Sequence, residues 1–341
     1  MFRGMARPSG PVSPKVEGAW RFGRRRWGKT SICIGRPDVE DGAHATVREA
    51  TKHLEIRRRF FFRIARDPTE YRRQIAPADE LTRALIDEGI DLFTFLERRW
   101  CSPLRNPSDS WVRADDNIAL LHVISYDQWW ENVGKKTRNM VRKAEKSGIG
   151  IKVAEPNEAL AKGIWKIYNE TPFRQGRWFP HYGISLNAVQ GILSSGDAAF
   201  IGGYYGPELV GFIRLEYGEE ITIVSQILSL QQHWDKGVNN ALLAKAVEVC
   251  AREQRPWIMY GRMGNHPSLD TFKANNGFVK YPLTRYYVPL TTKGGIATAI
   301  GLHRDPKDVL PPSLKYLLIP VFDWLSRARV RLLGLAQRPK P

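Results

Sequence analysis

The sequence predicts an α/β (α+β) protein with two mixed-sheet units, flanking helices and an antiparallel meander in the second unit. Short β-branched and aromatic runs alternate along the chain with segments of helical periodicity. Residues 198–230 contain three apolar runs separated by the turn sequences YGPE and YGEE, which is typical of a meander. The 341 residues, 43% of them hydrophobic, are enough to bury a sizeable core.

The first half begins with a basic arm and continues as strands and helices. Residues 1–30 are rich in Arg, Gly and Pro, which predicts a flexible arm. The pattern then predicts a strand at 31–34, a helix at 46–58 and a buried strand at 60–65. A helix at 78–88, an apolar run at 90–97 and a strand at 117–123 are expected to follow. The letters SYDQ at 125–128 have the form of a capping box, so a helix is expected to begin there.

A basic helix is expected to connect the two halves. The helix should continue, with a break at Gly134, as far as Gly148, which is a natural stop. On a helical wheel of residues 135–147, one side is apolar and carries Met140, Val141 and Ala144. The opposite side is basic and carries Lys135, Lys136, Arg138, Arg142, Lys143 and Lys146. The basic side would attract anions, and a plain solvated face is the alternative interpretation.

The second half has a clear order of elements. The pattern predicts a strand at 149–154, a helix at 157–170 and the meander at 198–230. These are followed by a long helix at 236–253, a strand at 256–261, a short helix at 267–275 and a last strand at 284–290. The long helix places Leu242, Ala246, Val249 and Cys250 on one face. Residues 313–335 form an amphipathic basic segment that either lies on an anionic membrane surface or packs on its own domain.

Composition excludes several classes of protein. The three cysteines are far apart and odd in number, so neither a disulfide framework nor a CxxC metal site is indicated, and a cytoplasmic location is expected. No stretch approaches the ~18 apolar residues of a membrane-spanning helix. No secretory signal is expected either, because no apolar run follows the first arginines. The net charge of +17 is concentrated in residues 1–75, with +10, and 135–180, with +7.

Residues 23–30, GRRRWGKT, match the phosphate-loop pattern G-x-x-x-x-G-K-[ST]. A working phosphate loop leaves a buried strand and opens a helix whose N-terminus faces the phosphates. The preceding KVEGAWRF has no continuous apolar run, and Gly35 and Pro37 would stop a following helix early. An NTPase is therefore a minor alternative, and the arginines of this stretch are expected to belong to the basic arm.

Three stretches share one family signature. They are KKTRNMVRKAEKSGIGIKV at 135–153, IYNETPFRQGRWFPHYG at 167–183 and NHPSLDTFKANNGF at 265–278. In this order and spacing they resemble the FemAB-like (peptidoglycan-bridge aminoacyltransferase) and BioF-type acetyltransferase families, two branches of the GNAT fold. The resemblance implies GNAT-like units over 31–134 and 149–295, joined by the helix at 135–148 and followed by a basic tail at 296–341.

Two departures from the GNAT pattern bear on the donor. Phe272 stands where many GNAT enzymes carry a Tyr that protonates the leaving thiolate, and Phe has no proton to give. The pyrophosphate-binding loop is represented by WDKGVN at 234–239, with Gly237 and Asn239 in the two glycine positions. The resemblance therefore implies either acyl-CoA or, in the FemAB-like branch, an aminoacyl-tRNA as co-substrate, and neither a bound cofactor nor a metal.

The site residues follow from the resemblance and from the chemistry of acyl transfer, which needs a stabilised oxyanion and a helped leaving group. Lys273 is the candidate catalytic cation, and a helix-surface lysine is the alternative. The expected substrate-binding residues are Arg138, Arg142, Thr171, Arg174 and Tyr182. The expected donor-binding residues are Gly237, Asn239 and Asn265. A structural ion pair remains open for Arg174 and a core-edge position for Tyr182, and no general base is named.

The sequence as a whole predicts an acyltransferase that moves an acyl or aminoacyl group to an amine, in cell-envelope or peptidoglycan metabolism. The acceptor is expected to be a phosphate-bearing small molecule or a lipid-linked molecule, with tRNA as a further partner. Residues 313–335 would give peripheral contact with the inner face of the membrane. The alternative from another class is a non-enzymatic nucleic-acid-binding protein that uses the basic arm and the basic helix.

Overall fold

The computed structural model describes residues 54–72, 78–98, 107–174, 177–194, 198–264 and 266–304. The predicted arm at 1–30, the phosphate-loop motif, the strand at 31–34 and the amphipathic segment at 313–335 lie outside these ranges. The described residues form one ten-stranded sheet, a two-stranded hairpin and helices on both faces of the sheet. The predicted α/β class with a mixed sheet is confirmed.

Ten strands form the large sheet. They are β1 (Glu55–Arg59), β2 (Phe62–Arg66), β3 (Leu92–Glu97), β4 (Val112–His122), β5 (Ile149–Ala154), β8 (Ala198–Tyr205), β9 (Glu208–Tyr217), β10 (Ile221–Ser229), β11 (Trp257–Met259) and β12 (Val279–Pro289), while β6 (Phe173–Arg174) and β7 (Arg177–Trp178) form the hairpin. Across the sheet the order is β1-β2-β3-β12-β4-β11-β10-β9-β8-β5. The pairs β2–β3 and β10–β11 are parallel and the others are antiparallel.

Helices connect the strands. In the described ranges they are α1 (Asp79–Asp87), α2 (Tyr126–Asn132), α3 (Lys135–Lys146), α4 (Glu158–Tyr168), α5 (Leu186–Leu193), α6 (Val238–Arg252), α7 (Pro267–Asn275) and α8 (Thr292–Ala299), with a 3₁₀ helix at Gln231–Lys236. Ser125 caps α2 by accepting from the backbone N–H of Gln128, as the capping-box letters predict. The predicted break falls at Gly134, which precedes α3. Gly148, with φ +75°, ends this helical region.

The two faces of the sheet are covered by different helices. Alternate residues of a strand point to opposite faces, so Gly211 and Ile213 of β9 lie on one face and Phe212 on the other. A Cβ on Gly211 would meet Val238 of α6, which defines the α6 face. Phe212 packs against Tyr168 of α4, which defines the α4 face. The predicted apolar side of α6 is buried, as expected for a core helix: Leu242, Ala246, Val249 and Cys250.

The predicted meander is confirmed: β8, β9 and β10 pair antiparallel in chain order. The helix predicted over 46–58 is wrong in its described part, because residues 55–59 form β1 and pair with β2 along their whole length. The strand predicted over 60–65 begins later than expected. Phe60 and Phe61 form the tight turn of this hairpin, with Phe60 at φ +48°, and are 73% and 44% exposed.

Strands β4 and β12 each begin five residues before the predicted position, at Val112 and Val279. Charged residues hide the beginning of β4 from a hydrophobicity pattern. Asp116 of β4 is nevertheless buried, because Nε of Arg285 in β12 donates to its Oδ2 at 3.0 Å. A paired charge therefore takes the place of an apolar side chain at this point of the sheet. The division of the chain at residues 134 and 148 stays a prediction.

Candidate functional site

A wedge opens in the sheet between the parallel strands β10 and β11. These strands pair over three residues only, Ile221–Ile223 with Trp257–Met259. Strand β10 then passes a register shift at Ser225 and continues beside β9 to Ser229. The chain beyond β11 stays with β4, because Tyr260 N–H donates to Ala119 O and Ala119 N–H donates to Gly261 O. The two strands therefore diverge, and irregularities of this kind often border active sites.

Lys273 lies against the segment that follows β11, Tyr260 to Arg262. It comes from α7 and is only 2% exposed, so the alternative of a helix-surface lysine does not describe its position. Its Nζ donates to the backbone oxygen of Arg262 at 2.8 Å and lies 4.8 Å from the centre of the Tyr260 ring. Burial lowers the pKa of Lys273, and Asp270 opposes that shift. Burial also raises the pKa of Tyr260, which stays protonated.

The N-terminus of α6 follows the end of β10 through the 3₁₀ helix. Gly237 precedes it with φ +76°, and a Cβ there would lie 2.2 Å from the backbone oxygen of Met140. Only glycine fits this close approach to α3. No side chain caps the first turn of α6, and the Oδ1 atom of Asn239 is buried without a hydrogen-bond partner. Free backbone N–H groups at a helix N-terminus attract anions.

The two predicted arginines of α3 lie differently. Nη1 of Arg138 donates to three backbone oxygens at the end of α2: Trp130 at 3.1 Å, Glu131 at 3.0 Å and Val133 at 2.5 Å. Arg142 is exposed, and its guanidinium lies 5.5 Å from the centre of the Trp130 ring. Arg138 therefore holds the end of a neighbouring helix, while Arg142 presents its charge to solvent.

Arg174 and Thr171 lie where α4, β6 and β10 meet. The Arg174 guanidinium donates to the backbone oxygens of Ser229 at 2.9 Å and Ile167 at 2.6 Å, and pairs with Glu170 at 3.1 Å. It also lies 4.9 Å from the Phe179 ring, and its Nε is buried without a partner. Thr171 donates its hydroxyl to the Phe173 backbone. The structural alternative considered for Arg174 thus matches its recorded contacts.

A polar chain beside the wedge was not predicted from the sequence. The Tyr168 hydroxyl donates to Oε1 of Gln226, which leaves the amide N–H of Gln226 to donate to Nε2 of His181, 2.8 Å away. The ring proton of His181 is then on Nδ1. Burial, followed by the charge of Arg214, lowers the pKa of His181 and favours the neutral ring. The adjacent polar residues Ser225 and Gln226, in the middle of a mostly apolar strand, are the sequence signal for this position.

Two predicted site residues remain, Tyr182 and Asn265. Tyr182 is 39% exposed and meets Trp178 edge to face, at 6.0 Å between ring centres. Asn265 lies outside the described residues. The structure thus places Gly237 and Asn239 at the start of α6, Arg174 at the end of β10, and Arg142 beside Trp130 of α2. Lys273 lies apart from these positions, at the loop after β11.

The described residues contain neither a metal-binding cluster nor a membrane-spanning helix. No group of three or more His, Cys, Asp or Glu side chains within them is placed to hold a metal ion. No helix in the described part of the chain is both long and apolar enough to cross a membrane.

No protein-family model matches the sequence, and no curated protein matches it. Solved structures do resemble the fold. FemX aligns with 72% of this chain and 86% of its own, at 11% identity and a TM-score of 0.51. The C-terminal domain of a putative lysylphosphatidylglycerol synthetase from Agrobacterium fabrum aligns with 72% of this chain and 83% of its own, at 12% identity and a TM-score of 0.49.

A tandem GNAT protein from the clavulanic acid biosynthesis pathway is more distant. It aligns with 70% of this chain and 78% of its own, at 11% identity and a TM-score of 0.41. At sequence identities this low, structural similarity is evidence for a shared fold only. The described part of this chain has the fold that FemX has.

Proposed function

We propose that this chain is an N-acyltransferase that moves an acyl or aminoacyl group from an activated donor to an amine. The observation that carries the proposal is the buried ammonium of Lys273, beside the segment that follows β11. A buried cation is costly to keep unless it meets negative charge, and acyl transfer develops negative charge at the acyl oxygen and at the leaving atom. The three family-like motifs of the sequence and the FemX-like fold agree with this chemistry.

The proposed reaction balances without a further reactant. The nitrogen of a neutral amine attacks the acyl carbon and forms an amide bond. The C–S bond of an acyl-CoA, or the C–O ester bond of an aminoacyl-tRNA, breaks with its electron pair on the leaving atom. The proton lost by the amine is taken up by that sulfur or oxygen. Lys273 would stabilise the developing charge electrostatically, in a site from which burial excludes water.

The donor is proposed to bind with its phosphates at the N-terminus of α6. This end of the helix has no acidic residue in its first turn and no side-chain cap, so nothing on the helix competes with an anion there. The phosphates of coenzyme A or of a tRNA 3′ end carry the matching charge. The buried, unpartnered side-chain oxygen of Asn239 would accept a hydrogen bond from an N–H or O–H group of the donor molecule.

The acceptor is proposed to be an amine-bearing and phosphate-bearing molecule of cell-envelope metabolism. The FemAB-like letters at 135–153, 167–183 and 265–278 support this class. A purely nucleic-acid-binding protein is not favoured, because the Arg138 guanidinium of the basic helix is engaged with the end of α2.

The donor proposal is tested by Asn239→Asp, which places a carboxylate in the first turn of α6. An acidic residue there favours the helix but repels phosphate, so we expect the fold to be kept and the affinity for the donor to fall about tenfold or more. Asn187→Asp is the matched control, because Asn187 is the second residue of α5, as Asn239 is of α6, and is exposed. Titration with acetyl-CoA and with a charged tRNA, followed by melting temperature, measures the effect.

The two donors are separated by which of them stabilises the wild type. If acetyl-CoA raises the melting temperature of the wild type and of Asn187→Asp but not that of Asn239→Asp, the protein is an acyl-CoA enzyme. The same pattern with charged tRNA alone identifies an aminoacyl transferase. Absence of stabilisation by either donor, together with no amide product in their presence, contradicts the proposed function.

A further inference from the structure

A second cleft, the arginine cleft, opens on the α4 face of the sheet. It has a volume of about 710 Å³, within the range of sites that take small organic ligands. Strands β1, β2, β3, β12 and β4 form its floor, and the segments around Arg262 and Arg304 border it. Its guanidinium groups belong to Arg57, Arg59, Arg66, Arg262, Arg285 and Arg304. The reaction step proposed above uses none of these side chains.

The carboxylates at the floor of the arginine cleft are already neutralised. Arg285 donates to both oxygens of Glu70, at 2.9 and 2.7 Å. It also donates to one oxygen of Asp116, whose other oxygen pairs with Arg262 at 2.7 Å. Glu70 and Asp116 are 3% and 6% exposed. A buried ionic network of this kind rarely adds stability over an apolar core.

The arginine cleft keeps an excess of positive charge after this pairing. Among the described residues, the carboxylates of Glu55, Glu70 and Asp116 pair with Arg57, Arg66, Arg262 and Arg285, whereas Arg59 and Arg304 have no carboxylate partner. Arg113 also borders the cleft, but its side chain lies over Tyr286 on the opposite face and is not counted. Arg59 donates to the backbone oxygens of His303 and Arg304 and keeps its charge. The cleft therefore attracts anions.

His303 adds a buried polar group with no partner. It lines the arginine cleft, is 3% exposed, and neither of its ring nitrogens makes a hydrogen bond. Burial lowers the pKa of His303 and favours the neutral ring, and the nearby backbone of Ala297 opposes that shift. The Tyr287 ring packs edge to face against it, at 4.6 Å between centres. An unpaired buried imidazole costs free energy, which a bound ligand that accepts its N–H would recover.

Arg262 connects the arginine cleft with Lys273. The side chain of Arg262 borders the cleft, and its backbone oxygen accepts from Lys273 Nζ. Arg262 therefore touches the arginine cleft through its side chain and Lys273 through its backbone oxygen.

We propose that the arginine cleft binds a phosphate group of the acceptor, through the excess guanidinium charge and the N–H of His303. Guanidinium groups match phosphate oxygens in charge and in fork geometry. That the bound molecule is the acceptor rests on the proposed acyl transfer, whereas phosphate binding itself does not. The phosphate belongs either to a soluble molecule or to a lipid head group.

Isothermal titration of the full chain with inorganic diphosphate tests the assignment without any transfer reaction. The test variant is Arg57→Gln/Arg304→Gln, since both residues are exposed and border the arginine cleft. Arg58→Gln is the matched control: Arg58 is exposed, lies next to Arg57 in β1, and points to the opposite face. Each lost charge-assisted contact should weaken binding about tenfold, so the double variant should bind about 100-fold more weakly, and the control as the wild type does.

Vesicles of phosphatidylglycerol, with phosphatidylcholine vesicles as the blank, form the second arm. Diphosphate binding lost in the double variant supports a soluble phosphate source. Binding to phosphatidylglycerol vesicles alone, lost in the same variant and kept in Arg58→Gln, supports a lipid head group in the same cleft. No binding of either probe, or equal weakening in the control, overturns the proposal. Failure of the Asn239→Asp test would leave these outcomes intact, so the two proposals fail separately.

Discussion

Lys273 donates one of its three N–H groups to Arg262 O and is otherwise enclosed by protein. If its charge stabilises the transition state, Lys273→Met should lower kcat about 100-fold or more while donor affinity is nearly kept. Methionine is apolar and of similar length, so the buried position should accept it. Single-turnover amide formation and donor titration measure the two quantities. A variant with wild-type kcat would remove Lys273 from the mechanism.

The lowered pKa of Lys273 determines the direction in which the free energy of unfolding and kcat change with pH. Burial holds the pKa of Lys273 below its ordinary value, so the unfolded chain binds this proton more tightly than the folded chain does. The free energy of unfolding therefore rises as pH increases from the lowered pKa towards the ordinary one, and Lys273→Met should lack this rise. The kcat of the wild type should fall over the same interval, since the required cation is lost.

Residue positions could be predicted from the sequence more easily than residue contacts. The letters around Lys273 identified it as a candidate, but its burial against Tyr260 depends on how the loop after β11 turns back to β4. The contacts of Arg138 and Arg174 are with backbone oxygens at the ends of α2, α4 and β10. The sequence does not show which backbone oxygen a side chain will reach, because every residue carries the same backbone oxygen.

At the scale of elements, Arg138 joins α3 to the C-terminus of α2 and contributes to the stability of both. Arg138→Gln should lower the free energy of unfolding by about 1–3 kcal/mol, since three carbonyl groups lose a charged donor. Arg142→Gln, one turn further along α3 and exposed, should change it by less than about 0.5 kcal/mol. Urea unfolding gives both values. Equal stabilities, with a raised KM only in Arg138→Gln, would instead favour the predicted substrate contact.

Elements with strong local signals were predicted well. The meander, α6, α7 and β5 follow from apolar periodicity and from turn residues, which act over a few positions. The segment that forms β1 was predicted wrongly as a helix. Its run of arginines is also typical of a basic helix, and its pairing with β2 is not visible in the sequence. The start of β4 was missed for a related reason: the burial of Asp116 depends on Arg285, which is 169 residues away. Local patterns carry no information on such partners.

At the scale of the whole molecule, strands from both halves of the sequence share one hydrophobic cluster. It contains Leu96, Ile118, Leu120, Ile221, Ile223, Met259 and Leu283. Strand β12 returns from the second half of the chain and pairs between β3 and β4. No sequence pattern predicts this return, because the pairing of β12 with β3 joins residues nearly two hundred positions apart.

The shared cluster predicts that the sheet unfolds as a single cooperative unit, whereas the sequence predicts two units. Leu96 in β3 is 1% exposed, so Leu96→Ala should cost about 2–5 kcal/mol. Because Leu96 packs in the same cluster as residues of β10 and β11, this loss should lower the protection of amides in β9 as much as that of amides in β3. Native-state hydrogen exchange resolved by peptide measures both. Val210→Ala, at a fully buried position of β9, is the reciprocal variant and should also lower both. If each substitution affects only its own half of the chain, the halves unfold independently, and the sheet is then two cooperative units joined at β4 and β11.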